Sequence, residues 1–158
     1  MKLISLTQGK VVKISDHRFE EYNQWKWHAK KQRNGKFYAM RWQGKWPNRK
    51  LIRMHRQITN APDGMELDHW DGDGLNNQDE NLRICTKSQN MANRGRNHNN
   101  ISGYKGVSRH GKKWRAEIHF EGKDINLKSW DTPEEAASAY DKAAKHYHGE
   151  FANLNFPE

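Results

Sequence analysis

Cysteine is nearly missing from this chain. Cys85 stands alone among 158 residues, which excludes a disulfide framework and any all-cysteine zinc site and suits a reducing intracellular compartment. No apolar run reaches the length of a membrane span, and the N-terminus lacks the apolar stretch of a signal peptide. The chain therefore reads as soluble, intracellular and free of membrane. Apolar residues make up only 34% of it, too few to give either half a large core, and small cores are marginally stable. No internal repeat or low-complexity tract is visible. Acids are scarce where bases are plentiful: residues 1–50 hold 13 Lys/Arg against 3 Asp/Glu.

Large aromatics compensate in part, with seven Trp, five Tyr and five Phe bringing much buried area per residue. The net charge of +9 belongs almost wholly to the N-terminal third. Residues 51–101 carry 6 bases against 7 acids and residues 102–158 carry 9 against 9. A basic surface of this kind favours a polyanion, most commonly nucleic acid, although a solvated lysine-rich face fits the charge equally. The acids of the middle segment cluster between Asp63 and Glu80, as a divalent cation requires.

Lys2–Thr7 and Val11–Ser15 flank Gln-Gly and predict a short hairpin, and Lys36–Trp42 reads as a further strand. Leu51–Ile58 runs into the breaker Asn-Ala-Pro-Asp-Gly. A small N-terminal sheet should support the unit at 68–90. Met65–His69 predicts a strand, Asp71–Glu80 a polar turn, Leu82–Cys85 a return strand, and Thr86–Gln89 a capping box that opens a helix to about Arg94. Arg94–Asn100 has no apolar residue and reads as a flexible basic linker. Tyr104–Arg109, Lys113–Glu121 and Lys123–Trp130 then suggest three strands. Thr132, Pro133 and Glu135 start a helix with a capping box. Its apolar stripe is Ala136, Ala139, Tyr140, Ala143, Ala144 and Tyr147, and Gly149 ends it. The fold class is α+β.

Residues 68–90 concentrate the chemistry. Phosphodiester hydrolysis needs an activated water, a cation on the developing charge and stabilisation of the leaving oxygen. A neutral histidine is a suitable base near pH 7, while a carboxylate and an amide oxygen are hard ligands that suit Mg²⁺. Asp68 and His69 are adjacent on a strand, so their side chains diverge and one can hold metal while the other addresses water. Asn81 opens the return strand and can hydrogen-bond across the turn. Asp-His is also an ordinary hydrogen-bonded pair, and turn chemistry accounts for Asn76 and Asn77. Asp71-Gly-Asp73-Gly hints at an EF-hand, but Leu75 and Asn76 occupy the positions that need a ligand and a glycine, which excludes calcium.

Asp68-His69, Asn81-Leu82-Arg83-Ile84 and Gln89-Asn90 together resemble the HNH endonuclease motif, the ββα-metal unit of phage and homing nucleases. Met54-His55-Arg56 resembles the His-Arg segment upstream of it. The resemblance implies that His69 is the general base, that Asp68 and Asn90 ligate one divalent cation (Mg²⁺ or Mn²⁺), and that Asn81 orients the loop. Asn90 stands where many members have histidine. Arg83 or Lys87 would steady the phosphate.

Tyr104–Val107, Trp114–Ile118, Glu134–Ala137, Ala139–Asp141 and Ala152–Pro157 resemble the apetala/ethylene-responsive-factor (ERF) DNA-binding domain. That resemblance implies a three-stranded antiparallel sheet in the major groove, backed by one helix. Lys105, Arg109, Lys113, Arg115, Glu117, His119, Lys128 and Trp130 are its candidate DNA-face residues, with Arg109 and Arg115 the expected base readers. Ser108 and His119 replace expected arginines and the first turn is shorter, so plant-type sequence preference does not carry over. Alternating charges are also what the wet face of a half-buried sheet shows.

The sequence therefore reads as an HNH nuclease domain at 1–95 with its ββα core at about 65–94, a linker at 96–101, and an ERF-type domain at 102–158. It predicts a metal-dependent endonuclease on double-stranded DNA, of homing or phage type, nicking one strand per active site. It would use no small-molecule cofactor, be a monomer or weak dimer, and act in the cytoplasm of a phage-infected cell. The alternative is a DNA-binding regulator with an inert nuclease unit. An RNA-directed protein lacks any supporting aromatic-stacking motif.

Overall fold

The computed structural model describes residues 1–33 and 35–157 and divides into two units, Met1–Thr86 and Lys87–Glu158. Both mix small sheets with helix, as the α+β reading expects. Among the described residues no helix is long and apolar enough to cross a membrane.

In the first unit, Gln8 and Gly9 take positive φ values of 64° and 63° and turn β1 (Lys2–Ser5) into the antiparallel β2 (Val11–Ile14). The core gathers Ile4, Val12, Ile14, Tyr22, Trp27, Ala39, Met54 and Ile58. Tyr22 lies on the short α1 (Phe19–Asn23) and stacks on Trp27 at 6.1 Å between ring centroids. The N-terminal segment builds two small sheets rather than the one expected. One is β3 (His28–Lys31), β4 (Phe37–Gln43) and β5 (Lys50–Arg53) in antiparallel order. The other joins β1 and β2 to a two-residue parallel strand, β7 (Asn76–Asn77). A strand that short, with no apolar residue, leaves no periodicity for sequence reading to find. The helix α2 (Met54–Thr59) follows β5, burying Met54, His55 and Ile58. Beyond it β6 (Glu66–His69) pairs antiparallel with β8 (Leu82–Cys85).

The second unit begins with α3 (Lys87–Ala92), shorter than the helix to Arg94 that the sequence suggests. Then come β9 (Val107–His110), β10 (Lys113–Phe120) and β11 (Lys123–Trp130), an antiparallel sheet with β10 at its centre. The first of these strands is shorter than expected. Tyr104 lies before it, where Asn100 Nδ2 and Ser102 Oγ donate to the Tyr104 carbonyl at 2.8 and 3.0 Å. Asn100, placed in the linker by composition, is thus tied into this unit.

The helix α4 (Pro133–His148) starts as its sequence dictates. Thr132 Oγ1 accepts from Glu135 N at 3.3 Å and Glu135 Oε2 accepts from Thr132 N at 3.1 Å. Its inner face is mostly alanine, so it lies close on the sheet, burying Ala136, Ala137, Tyr140 and Ala144 beside Val107, Ala116 and Ile118. Asp141 is buried as well, a residue the apolar stripe leaves out. Its carboxylate accepts from Asn155 N at 2.9 Å and Phe156 N at 2.8 Å, pinning the C-terminal segment to the helix.

Gly106 marks the tightest approach. Its φ is +72°, and an added Cβ would sit 2.0 Å from Tyr140 Cδ2. Gly106→Ala should cost roughly 3–5 kcal/mol, because it combines overpacking against a buried ring with left-handed backbone strain. Thermal unfolding followed by near-ultraviolet dichroism checks this, and an unchanged transition would exclude such close packing.

Candidate active site

The antiparallel register of β6 and β8 sets Asp68 opposite Arg83 and His69 opposite Leu82. Cross-strand partners share a face, so Arg83 Nη2 meets Asp68 Oδ2 at 2.5 Å, with the Asp68 carboxylate almost wholly buried. Sequence reading expects Arg83 or Lys87 to steady a phosphate. Arg83 is instead engaged with Asp68, and Lys87 lies on α3 in the second unit.

His69 is 6% exposed. Its Nε2 lies 2.9 Å from Asn77 Oδ1; with that amide oxygen accepting, the ring proton is on Nε2 and the lone pair falls on Nδ1. Burial pushes the His69 pKa below its ordinary value, with the Asn77 hydrogen bond and nearby Asp71, Asp68 and Asp73 opposing. The ring is therefore neutral at pH 7, as a base must be. Asn77 is completely buried on β7, and its Nδ2 has no hydrogen-bond partner among the described residues. Sequence reasoning assigned this residue to turn chemistry. Its signal was weak, because it depends on β7 pairing with β2, where Ile14 stands opposite Asn77.

Two further aromatics enclose His69. The His55 ring on α2 meets it edge-on, 5.2 Å between centroids at 89°. Tyr38 on β4 makes edge contacts with both, at 5.4 Å to His55 and 5.7 Å to His69. Burial, then the His69, Arg53 and Arg56 charges, lowers the His55 pKa to about 3. The His-Arg segment upstream of the motif thus contributes a neutral, packed imidazole.

Asn81 holds the loop between the strands. Its Oδ1 accepts from Asp71 N at 3.0 Å, and its Nδ2 donates to Asp71 Oδ1 at 3.0 Å and to Asn76 O at 2.8 Å. Asp71 Oδ2 accepts in turn from Asn76 Nδ2 at 2.7 Å. Gly74 lets this loop approach β4, since a Cβ there would meet Phe37 O at 2.5 Å. Asn81 is 5% exposed, so Asn81→Ala removes three hydrogen bonds made by one buried amide and should cost about 2–4 kcal/mol. A urea denaturation midpoint equal to that of the unaltered chain would refute this.

Asn90 lies on α3, in the second unit. No group of three or more His, Cys, Asp or Glu among the described residues is placed to hold a metal. In the first unit the Asp68 carboxylate is a hard oxygen donor of the kind a small divalent cation takes.

The sheet of the second unit divides its expected DNA residues between two faces. Lys113, Arg115, Glu117 and His119 alternate along β10 with the inward Trp114, Ala116 and Ile118. They pair among themselves and with neighbours: Lys113 with Asp131 at 3.1 Å, Arg115 with Glu117 at 3.7 Å, and His119 with Asp124 at 2.7 Å. Arg109 is on the other face. It stands opposite Trp114, two residues from buried Val107, with its guanidinium 4.8 Å from the Trp114 ring. Trp130 likewise pairs with Trp114 and packs against the alanine core. A bulge places Leu127 and Lys128 together opposite Ala116, and Lys128 takes φ +76°. Counting alternate residues along β11 therefore fails. Lys105 is also withdrawn: its ammonium donates to the Ala92 carbonyl and lies 5.9 Å from the Tyr140 ring. Burial lowers its pKa to about 8. An ammonium on a carbonyl at the end of α3 suits that terminus.

A family model described as HNH endonuclease matches residues 60–92, the span that holds Asp68, His69, Asn81 and Asn90. "Protein 3.8" of Escherichia phage T7 is 36% identical over 112 residues, covering 66% of this chain and 92% of that protein. The chain belongs to the HNH endonuclease family. An uncharacterized HNH endonuclease of Acanthamoeba polyphaga mimivirus is 33% identical over 94 residues, 60% of this chain and 49% of that one. Over its C-terminal part this HNH family member is similar to plant ERF-type proteins. Dehydration-responsive element-binding protein 2D of Arabidopsis thaliana is 38% identical over 88 residues, 54% of this chain and 43% of that protein.

Proposed function

We propose that this protein is a divalent-metal-dependent DNA endonuclease that hydrolyses phosphodiester bonds and cuts one strand per active site. The observation that carries this reading is the buried His69, neutral and oriented through Nε2 by Asn77, next to the Asp68 carboxylate at the end of β6. A water oxygen forms its bond to phosphorus as its proton passes to His69 Nδ1, and the bond from phosphorus to the leaving sugar oxygen breaks. Asp68 would hold Mg²⁺ or Mn²⁺, which when bound supplies charge stabilisation at the phosphate and the leaving oxygen. Asn81 acts on the loop rather than on substrate, keeping His69 and Asn77 in register.

Double-stranded DNA is the partner, and the outer face of the ERF-type sheet (Lys113, Arg115, Glu117 and His119) is its docking surface, with Arg115 the base reader. Similarity to a phage protein supports a place of action in an infected bacterial cell. A monomer with one such site nicks, and a double-strand break needs two visits or two copies.

One observation favours a second reading, a DNA-binding regulator with an inert nuclease unit: Arg83 already engages Asp68 at 2.5 Å. Incubating supercoiled plasmid with the protein and Mg²⁺ or Mn²⁺ separates the two. Relaxation that EDTA abolishes supports the nuclease. Binding without cleavage, on DNA that includes a selected target site, leaves the regulator.

A further inference from the structure

The first unit carries an exposed cationic and aromatic surface that no part of the active site uses. From Tyr22 to Pro62 the chain has eleven Lys/Arg and no Asp or Glu, and this stretch supplies the whole of the β3–β4–β5 sheet. The connection between β4 and β5 is its most open part. Residues 42–51 are all exposed, and among them Trp42 is 50%, Trp46 78% and Leu51 45% exposed. Trp42 and Leu51 are direct cross-strand partners, so their side chains share one face. The Arg49 guanidinium lies 4.3 Å from the Trp42 ring centroid and 5.4 Å from that of Trp46. Lys45 and Lys50 flank the same turn.

Large apolar side chains exposed together on a small unit mark an interaction site. Its partner must also match a surface of one sign. A second copy of the chain, itself at +9, is repelled, and a neutral apolar partner would leave the cations without a counterpart. A phosphate backbone satisfies both features: cations displace its counterions while indoles pack on sugars and base edges.

We infer that the β4–β5 hairpin is a second DNA-contacting element, in which Lys45, Arg49 and Lys50 bind backbone phosphates of duplex DNA and Trp46 packs into a groove beside them. The inference rests on the endonuclease reading only in taking duplex DNA as the polyanion. It gives the nuclease unit a hold on substrate independent of the ERF-type sheet, insensitive to base sequence.

The test is binding of the full chain to a labelled duplex of arbitrary sequence in EDTA, measured by anisotropy from about 50 to about 200 mM salt. The triple variant Lys45→Ala/Arg49→Ala/Lys50→Ala should reduce the slope of log affinity against log salt by about 2–3, since each lost phosphate contact removes about 0.9. Trp46→Ala should weaken binding severalfold with the slope unchanged, because an indole displaces no counterion. An unaltered slope in the triple variant overturns the inference. So does binding to phosphatidylserine-containing vesicles that the triple variant loses while its DNA binding is untouched, which would assign the surface to a membrane. Because nothing is cleaved in EDTA, a chain that binds as described but never cuts sinks the nuclease reading and leaves this one standing.

Discussion

Replacing His69 by alanine should lower the nicking rate by roughly 10²–10⁴-fold, the range a positioned general base supplies. Affinity for duplex DNA should stay within about twofold, because phosphate contacts dominate it. His69 is 6% exposed and bonded to Asn77, so His69→Gln, which keeps a polar side chain of similar reach, is the control for packing. It should fold as the unaltered chain does and remain as inactive as the alanine variant. The pH dependence follows from the direction of the His69 shift. Burial lowers its pKa, so the ring stays unprotonated, and able to accept a proton, below the ordinary value of about 6.5. The rate should hold as pH falls through that value and drop only at lower pH, where the ring gains its proton. Single-turnover rates on supercoiled plasmid measure both effects. Activity of His69→Ala within about fivefold of the unaltered chain would remove His69 from the chemistry.

What sequence reading captured are features with local causes. Gln8-Gly9 supplies a turn, and Thr132-Pro133-x-Glu135 supplies a cap whose two hydrogen bonds are both present. Met65–His69 and Leu82–Cys85 appear as paired strands one residue or less from their expected bounds. What it missed depends on pairing between distant segments. A parallel contact between β2 and β7 buries Asn77, and nothing within residues 71–80 announces it. The bulge at Leu127–Lys128 turns on a positive φ that a lysine does not advertise, and it moves Trp130 off the face where alternation from Lys128 puts it; Arg109, assigned to the DNA face by resemblance, shares the face of buried Val107. Lys105 has the look of a surface base in sequence, yet its ammonium ends on the Ala92 carbonyl. Charged residues at a half-buried sheet are assigned to a face by register, and register is a tertiary property.

His55 makes the stability of the first unit depend on pH. Its ring is 7% exposed, its Nδ1 has no hydrogen-bond partner among the described residues, and burial pushes its pKa down to about 3. The groups that hold it there are close: His69 edge-on, with Arg53 and Arg56 on its own segment. In the unfolded chain the same imidazole has a pKa near 6.5. Between these values the unfolded state binds a proton that the folded state refuses, so stability rises with pH across this window. The contribution is fully present above about pH 6.5 and is lost progressively as pH falls toward 3. From about pH 7 to about pH 4.5 the loss should be roughly 3 kcal/mol, at about 1.4 kcal/mol per pH unit below the unfolded value. That is a large share of what a small unit has. His69, shifted in the same direction, adds to it. His55→Leu removes the titrating ring and an unpartnered buried nitrogen together, so it should flatten the dependence and leave the acid form more stable than the unaltered chain at pH 4.5. Urea midpoints at several pH values decide the matter. If His55→Leu keeps the slope of the unaltered chain, the imidazole is hydrated in the folded state and the packed pair of histidines behind the active site does not exist.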